Sequence, residues 1–163
     1  DQPEHGYLAR AVQGFFRNGG EFCYVMPLRT ATPDAMKAAL NRLDALQTVD
    51  LICAPDIAAP DADGVMPTAE MMVALQQLIL NYCANRGNLF ALFDSLPGAD
   101  MQQIFAQRSV LLGDAGKNCA LYYPWIRIEG AAEDDFMPPC GHIAGIYRRT
   151  DYQVGVHKAP ANE

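Results

Sequence analysis

Three stretches decide the fold: VDLICAPD at residues 49–56, TAEMMVALQQLILNYCANRG at residues 68–87 and NLFALFD at residues 88–94. The first and third are short runs that are apolar on both faces, which is typical of strands in a parallel sheet. The middle stretch repeats apolar residues at helical spacing, opens with a threonine that can cap a helix and closes with a glycine that can end one. We therefore predict strands over residues 49–57 and 89–93, joined by a helix. The predicted inner face of that helix consists of Met72, Leu75, Leu78, Ile79 and Tyr82.

The flanking sequence continues the alternation of helix and strand. Apolar residues at helical spacing predict a helix over residues 7–16, which Asn18, Gly19 and Gly20 terminate. A nearly continuous apolar run predicts a strand over residues 21–28. Thr32 and Pro33 predict the start of a second helix, whose core residues would be Met36, Leu40, Leu43 and Leu46. A short helix is predicted from Asp100 to Phe105, and a strand interrupted by Pro124 over residues 119–128. An acidic loop over residues 130–137 and a helix from Pro138 to about Arg149 follow.

Strand and helix take turns four times, and this alternation predicts the α/β class. The expected architecture is a mostly parallel sheet of about four or five strands with helices on both faces, in a single three-layer domain. The length of 163 residues suits one domain, and no internal repeat or linker divides the chain.

Composition excludes several classes of partner. Twelve basic and nineteen acidic side chains give a net charge of −7. That balance argues against binding to nucleic-acid backbones or to anionic membrane surfaces, both of which require clustered Lys and Arg. No apolar run is long enough to cross a bilayer, and no signal peptide is visible at the N-terminus. The five cysteines are expected to be free thiols in a reducing compartment.

The motifs of nucleotide, phosphate and nucleophile sites are missing from the sequence. Asp56 and Asp94 each follow a predicted strand, so the pair could hold a metal or act as acid and base; the favoured interpretation is that each accepts backbone N–H groups in a turn. Cys140 and His142 could be a nucleophile and its base or half of a metal site, but residues two apart on a helix point away from each other. We therefore predict no catalytic, cofactor or metal site.

Small and charged residues mark the last predicted helix. Gly141, Ala144 and Gly145 recur on successive turns and predict a close approach of this helix to the sheet. Arg148, Arg149 and Asp151 are interpreted as a solvated charge cluster near the helix end, where cations suit the helix dipole.

The C-terminal stretch carries a more specific resemblance. PPCGHIAGIY at residues 138–147, RTD at residues 149–151 and GVHKAPAN at residues 155–162 resemble the signature of the contractile tail sheath family. The upstream stretches YPW at residues 123–125, NGG at residues 18–20 and CYV at residues 23–25 resemble further parts of that family. The resemblance covers about residues 8–163. Cys140, Pro27 and His157 depart from the family pattern, where Ser, Arg and Trp are common.

The resemblance implies a structural, non-enzymatic subunit of a bacteriophage tail or of a related bacterial contractile injection system. Such subunits polymerise around an inner tube and contract by rigid-body rearrangement. Residues 1–163 would be the central domain, with an N-terminal arm and a C-terminal domain outside this stretch. The expected partners are other sheath subunits and, through the outlying parts, the inner tube and the baseplate, with no nucleic acid or membrane. The expected location is the virion tail or injection particle, assembled in the bacterial cytoplasm.

The resemblance also assigns residues. The family-motif and packing residues are Asn18, Gly19, Gly20, Pro55, Asp56, Pro124, Trp125, Pro138, Pro139, Gly141, Gly145, Arg149, Asp151, Pro160 and Asn162. The candidate interface consists of Glu133, Asp134, Asp135 and Arg148. The alternative is a small α/β enzyme that uses Asp56 and Asp94, or Cys140.

Overall fold

The computed structural model describes residues 6–28, 30–46, 48–128, 132–133 and 135–160. Asp134 and Asn162 lie outside the described residues. In chain order the elements are α1 (Leu8–Arg17), α2 (Pro33–Leu43), β1 (Leu51–Cys53), a 3₁₀ helix (Pro55–Ala58), α3 (Ala69–Arg86), β2 (Phe90–Asp94), α4 (Met101–Leu111), a second 3₁₀ helix (Asp114–Asn118), β3 (Cys119–Tyr122), β4 (Ile126–Arg127), β5 (Phe136–Met137) and α5 (Cys140–Gln153). None of the described helices is both long and apolar enough to span a bilayer.

A parallel sheet lies at the centre, in the order β1-β2-β3. Leu51 of β1 is paired with Phe90 of β2, and Ala91 of β2 with Cys119 of β3. The α/β class is thus confirmed, but within the described ranges this sheet has three strands rather than the predicted four or five. The strands β4 and β5 form a separate antiparallel pair.

The predicted strand over residues 21–28 is wrong. This segment forms no strand, and most of its large apolar side chains are exposed, with Phe22 at 67% and Val25 at 50%. A run that is apolar on both faces predicts a strand only where neighbouring chain pairs with it and covers it. Here the Tyr24 hydroxyl lies 3.3 Å from the Thr48 hydroxyl, close to the start of β1, without a backbone ladder between them.

Prolines end two strands earlier than predicted. β1 stops at Cys53, because Pro55 begins a 3₁₀ helix and has no N–H to continue the ladder. The predicted strand over residues 119–128 divides at the cis peptide bond between Tyr123 and Pro124, and its second half joins β5 instead of the parallel sheet.

The predicted helix starts agree with the structure better than the helix ends do. Thr32, Thr68 and Asp100 each accept a hydrogen bond from the backbone N–H three residues later, and Gly87 ends α3 at a φ of 74°. α4 continues to Leu111, beyond the predicted end, and α5 runs from Cys140 to Gln153.

Apolar side chains cover both faces of the sheet. Ala91 and Phe93 of β2 face a core built with α2, α3 and α4, whose fully buried members include Leu75 and Ile79. The alternate residue Leu92 faces the other way and packs against Cys140 and Ala144 of α5, because successive strand residues point to opposite faces. The carboxyl end of β2 and the start of α5 therefore meet on one side of the sheet.

Candidate functional site

Asp56 caps the first helix. Its Oδ1 accepts hydrogen bonds from the backbone N–H groups of Tyr7, at 2.5 Å, and Leu8, at 2.9 Å. These N–H groups belong to the start of α1, where the helix dipole favours a negative charge. Burial raises the pKa of Asp56, and the two backbone hydrogen bonds lower it. This carboxylate acts as a structural cap of α1.

Asp94 has the same relation to the last helix. It lies at the carboxyl end of β2, is 7% exposed, and accepts a hydrogen bond of 2.8 Å from the backbone N–H of Cys140 at the start of α5. Burial raises the pKa of Asp94 to about 6, while the hydrogen bonds from Cys140 act in the opposite direction. Asp56 and Asp94 thus bind backbone donors of two different helices. No group of three or more His, Cys, Asp or Glu side chains among the described residues could hold a metal ion.

Cys140 is not available as a nucleophile in this geometry. Its side chain has no exposed surface, and contact with Cys53, burial and the nearby Asp94 carboxylate raise its pKa well above the usual value. A thiol attacks as the thiolate, so this environment suppresses its reactivity. The His142 ring packs instead against Gly14 of α1, and burial lowers its pKa. Cys140 and His142 therefore contact different elements, as their helical spacing predicts.

Two buried glutamines form a polar cluster that sequence reasoning missed. Gln76 of α3 donates to the Asp94 carbonyl at 2.9 Å, and Gln107 of α4 donates to the same carbonyl at 3.1 Å and to Gln76 Oε1 at 2.9 Å. Gln107 Oε1 also accepts from the Leu96 N–H at 3.0 Å. The available signal was a glutamine within the apolar face of a predicted helix, since Gln76 lies four residues after Met72. The cluster fixes the chain where it leaves β2.

The small residues of α5 bring two helices together, not a helix and the sheet as predicted. A Cβ placed on Gly141 would lie 2.6 Å from both the Ala11 carbonyl carbon and its Cα, and closer still to its carbonyl oxygen. A Cβ on Gly145 would overlap the Phe15 carbonyl oxygen. Only Ala144 of the three faces the sheet core. The small-residue stripe therefore seats α5 directly on the backbone of α1.

Other motif residues complete this contact. Asn18 at the end of α1 donates through Nδ2 to the Gly14 carbonyl at 2.8 Å. Gly19 has a φ of 104° and lies so close to Arg149 that a Cβ would be 2.8 Å from the arginine Cβ. Gly20 lies against the Phe15 ring. The motif NGG therefore turns the chain across α5.

The prolines and the tryptophan of the motif lie around the strand ends. Trp125 donates through Nε1 to the Ser95 carbonyl at 2.8 Å and meets the Tyr7 ring edge-on, with centroids 5.3 Å apart. Pro138 is fully buried. Of the remaining motif residues, Pro55 and Pro139 are buried, Pro124 is exposed, Asp151 lies in the last turn of α5, and Pro160 is the last described residue.

Two of the candidate interface charges, Asp135 and Arg148, have partners within the chain. Asp135 forms a 2.6 Å ion pair with Arg10 of α1, and Arg10 lowers the pKa of that carboxyl. Arg148 forms a 2.8 Å ion pair with Glu21 and lies over the Tyr152 ring. Glu133 is exposed. The structure therefore uses Asp135 and Arg148 to connect α1, α5 and their neighbouring loops.

Comparisons with solved structures extend these observations. No protein-family model matches the chain, and no curated protein matches it by sequence. The chain is similar to one chain of the anti-feeding prophage baseplate, with 28% sequence identity and a TM-score of 0.68. It is also similar to a chain of the anti-feeding prophage helical sheath in the contracted state, with 27% sequence identity and a TM-score of 0.70. It shares its fold with a chain of an extracellular contractile injection system, the PVC sheath complex in the contracted state, with 24% identity and a TM-score of 0.66.

Coverage is asymmetric in all three comparisons. The matched region covers 96% of this chain in every case. It covers only 38% of the baseplate chain, 39% of the anti-feeding prophage sheath chain and 36% of the PVC sheath chain. The chain thus spans less than two fifths of the length of the proteins it matches. Similarity of sequence and fold over nearly its whole length, to chains from a contractile sheath and from a baseplate, identifies it as a contractile sheath-like protein.

Proposed function

We propose that this chain is the central domain of a structural sheath subunit in a contractile injection particle or bacteriophage tail. The observation that carries the proposal is the similarity to the anti-feeding prophage helical sheath over 96% of the chain, at a TM-score of 0.70. The sites first considered for catalysis support the same function, because Asp56 and Asp94 cap helices and Cys140 is fully buried. No specific observation favours the enzyme alternative.

The proposed mechanism is rigid-body movement within a helical assembly of identical subunits. A close-packed interior does not deform continuously, so a domain of this kind changes its neighbours and keeps its own shape. The contact between α1 and α5 suits this role, because at Gly141 and Gly145 the two backbones lie directly against each other. The motif residues act in this proposal through packing.

The proposal places the missing architecture outside these residues. An N-terminal arm and a C-terminal domain would contact the inner tube and the baseplate. Additional strands would pair with β1, which lies at an edge of the described sheet, and would complete a three-layer domain with four or five strands. Glu133 and the neighbouring Asp134 would be available to neighbouring subunits. The assembly would form in the bacterial cytoplasm and function in the released particle.

The test is expression of the complete reading frame that contains this sequence, followed by negative-stain electron microscopy. The expected result is hollow tubes of uniform diameter. A product that remains a small globular particle under assembly conditions and shows enzymatic turnover, abolished by Asp94→Asn, would overturn the proposal. Asp94→Glu, which keeps the carboxylate, is the matched control for that turnover.

A further inference from the structure

We propose that the exposed side of α4 binds the acidic loop at residues 61–66 of a second copy of this chain. This contact rests on the proposed function, because it would be one of the contacts that hold the helical assembly together. Open helical assemblies form through heterologous contacts, in which two different surfaces of the subunit meet on neighbouring copies. The side of α4 and the loop share no residue, and they carry opposite charges.

The first surface is an apolar stripe on α4 that surrounds one arginine. Met101, Phe105 and Arg108 follow one another at spacings of four and three residues, which places them along one side of the helix. All three are exposed, with Phe105 at 58%, and the exposed Leu112 directly follows the last turn. The core uses a different side of the helix, with the buried residues Ile104, Gln107 and Leu111.

The composition of this stripe is typical of a protein interface. Aromatic residues, Met and Arg are enriched at interfaces, whereas Lys, Glu and Asp are depleted there. Arg108 is the only charged residue among the eleven of α4. None of the ion pairs between described residues includes Arg108. The stripe therefore fits a partner that covers apolar side chains and brings a carboxylate to Arg108.

The second surface is the loop at residues 61–66, which combines acidic and apolar side chains. Every residue of this loop is exposed, including Met66 and Val65, the latter at 62%. The loop is ordered from within, because Asp61 Oδ1 accepts hydrogen bonds from the Asp63 N–H at 3.0 Å and the Val65 N–H at 2.9 Å. A loop that is already ordered loses less conformational entropy when it binds.

Charge distinguishes this loop from two other acidic sites beside exposed apolar residues. Glu21 and Asp135, which lie near exposed phenylalanines in sequence, already form ion pairs within the chain. Asp61 and Asp63 take part in none of the ion pairs between described residues. Their carboxylates are thus free of ion-pair partners in this part of the chain and complement Arg108 of a neighbouring copy. The apolar side chains of the loop would cover the rest of the stripe.

The experiment uses the complete reading frame that contains this sequence and measures, by sedimentation and electron microscopy, the protein concentration at which tubes form. Arg108→Glu is expected to raise this concentration at least about tenfold, because like charges would then face each other across the contact. Lys37→Glu makes the same charge change at an exposed position of α2 and should leave the concentration unchanged. Thermal melting of both unassembled variants should match the wild-type chain, which shows that they fold.

Charge exchange tests the pairing itself. Asp63→Arg should weaken assembly as Arg108→Glu does, and the double variant that carries both substitutions should restore it. An equimolar mixture of the two single variants should also restore assembly, because each copy then meets a complementary charge on both of its surfaces. Only a contact between copies is restored in the mixture.

Four results would overturn the proposal. Wild-type tubes that tolerate Arg108→Glu would exclude this contact and leave the proposed function standing. Loss of assembly that Asp63→Arg does not rescue would mean that another segment or protein covers α4. Rescue in the double variant but not in the mixture would show that the loop binds α4 of its own chain. A wild-type product that forms no tubes would overturn the proposed function and this contact with it.

Discussion

Replacing Gly141 by Ala tests the contact between α1 and α5 directly. The added Cβ would lie 2.6 Å from two backbone atoms of Ala11 and closer still to a third, so no side-chain rotation can relieve the overlap. Overpacking of this kind costs about 1–3 kcal/mol, whereas alanine in place of glycine within a helix contributes about 1 kcal/mol of stability. The overlap with backbone puts the cost at the upper end, and the net loss is about 2 kcal/mol.

The assay is reversible unfolding in urea, with thermal melting as the second measurement. For a chain of this size a loss of about 2 kcal/mol lowers the thermal midpoint by about 4–8 °C. Asn81→Ala, at an exposed position of α3, is the control for helix propensity and is expected to be neutral or slightly stabilising. Gly14→Ala adds a second comparison, because its Cβ would meet the His142 ring instead of backbone. His142→Ala should therefore rescue Gly14→Ala and leave Gly141→Ala unrescued.

The reasoning is refuted if Gly141→Ala is as stable as Asn81→Ala. It is also refuted if His142→Ala rescues Gly141→Ala as well as it rescues Gly14→Ala. Either result would mean that the two helices do not approach each other through their backbones.

Three further predictions concern pH, assembly and surface charge. Because the pKa of folded Asp94 is raised to about 6, its protonation contributes stability that is full below the unfolded pKa and is lost as pH rises through 6. The free energy of unfolding of Asp94→Asn, measured relative to wild type, should rise by about 2 kcal/mol from pH 4 to pH 7, and a constant difference would contradict this. Residues 1–163 alone should be a monomer or weak oligomer by light scattering, whereas long tubes from this stretch would show that no outlying arm is needed. Asp135→Asn should lower the free energy of unfolding by no more than about 1 kcal/mol, because the ion pair of Asp135 with Arg10 is partly exposed. This loss should be absent in an Arg10→Gln background, and an equal loss in that background would exclude the ion pair as its cause.

Local signals predicted much of this fold because they depend on a few neighbouring residues. The sequence predicted the helix caps at Thr32, Thr68 and Asp100 and the glycine that ends α3. Each of these residues interacts with backbone groups at its own end of a helix. The strands β1, β2 and the start of β3 followed from apolar runs; β2 is largely buried, and β1 and β3 are partly buried.

Interactions across the chain were not predictable in the same way. The apolar run at residues 21–28 indicates that the segment can be a strand, but pairing depends on which chain lies beside it. The stripe of Gly141 and Gly145 indicates a close approach without saying whether a helix or the sheet is the neighbour. The roles of Gln76 and Gln107 depend on a carbonyl at the end of β2 that both reach from different helices.

The acidic residues illustrate the same limit for the candidate site. A carboxylate after a strand is compatible with a turn, a metal site or a helix cap, and only the tertiary structure brings the starts of α1 and α5 to Asp56 and Asp94. Likewise, a run of acidic residues suggests an exposed surface, but the fold places Arg10 next to Asp135.

The most direct test of the central claim is a cryo-electron microscopy reconstruction of the complete protein, assembled in extended and contracted forms. Our account predicts a helical tube in both forms, with this domain repeated in its wall. The backbone of the parallel sheet, α1 and α5 should superpose between the two forms, with Gly141 still against Ala11. A product that forms no helical assembly, or one in which α1 and α5 separate on contraction, would contradict it.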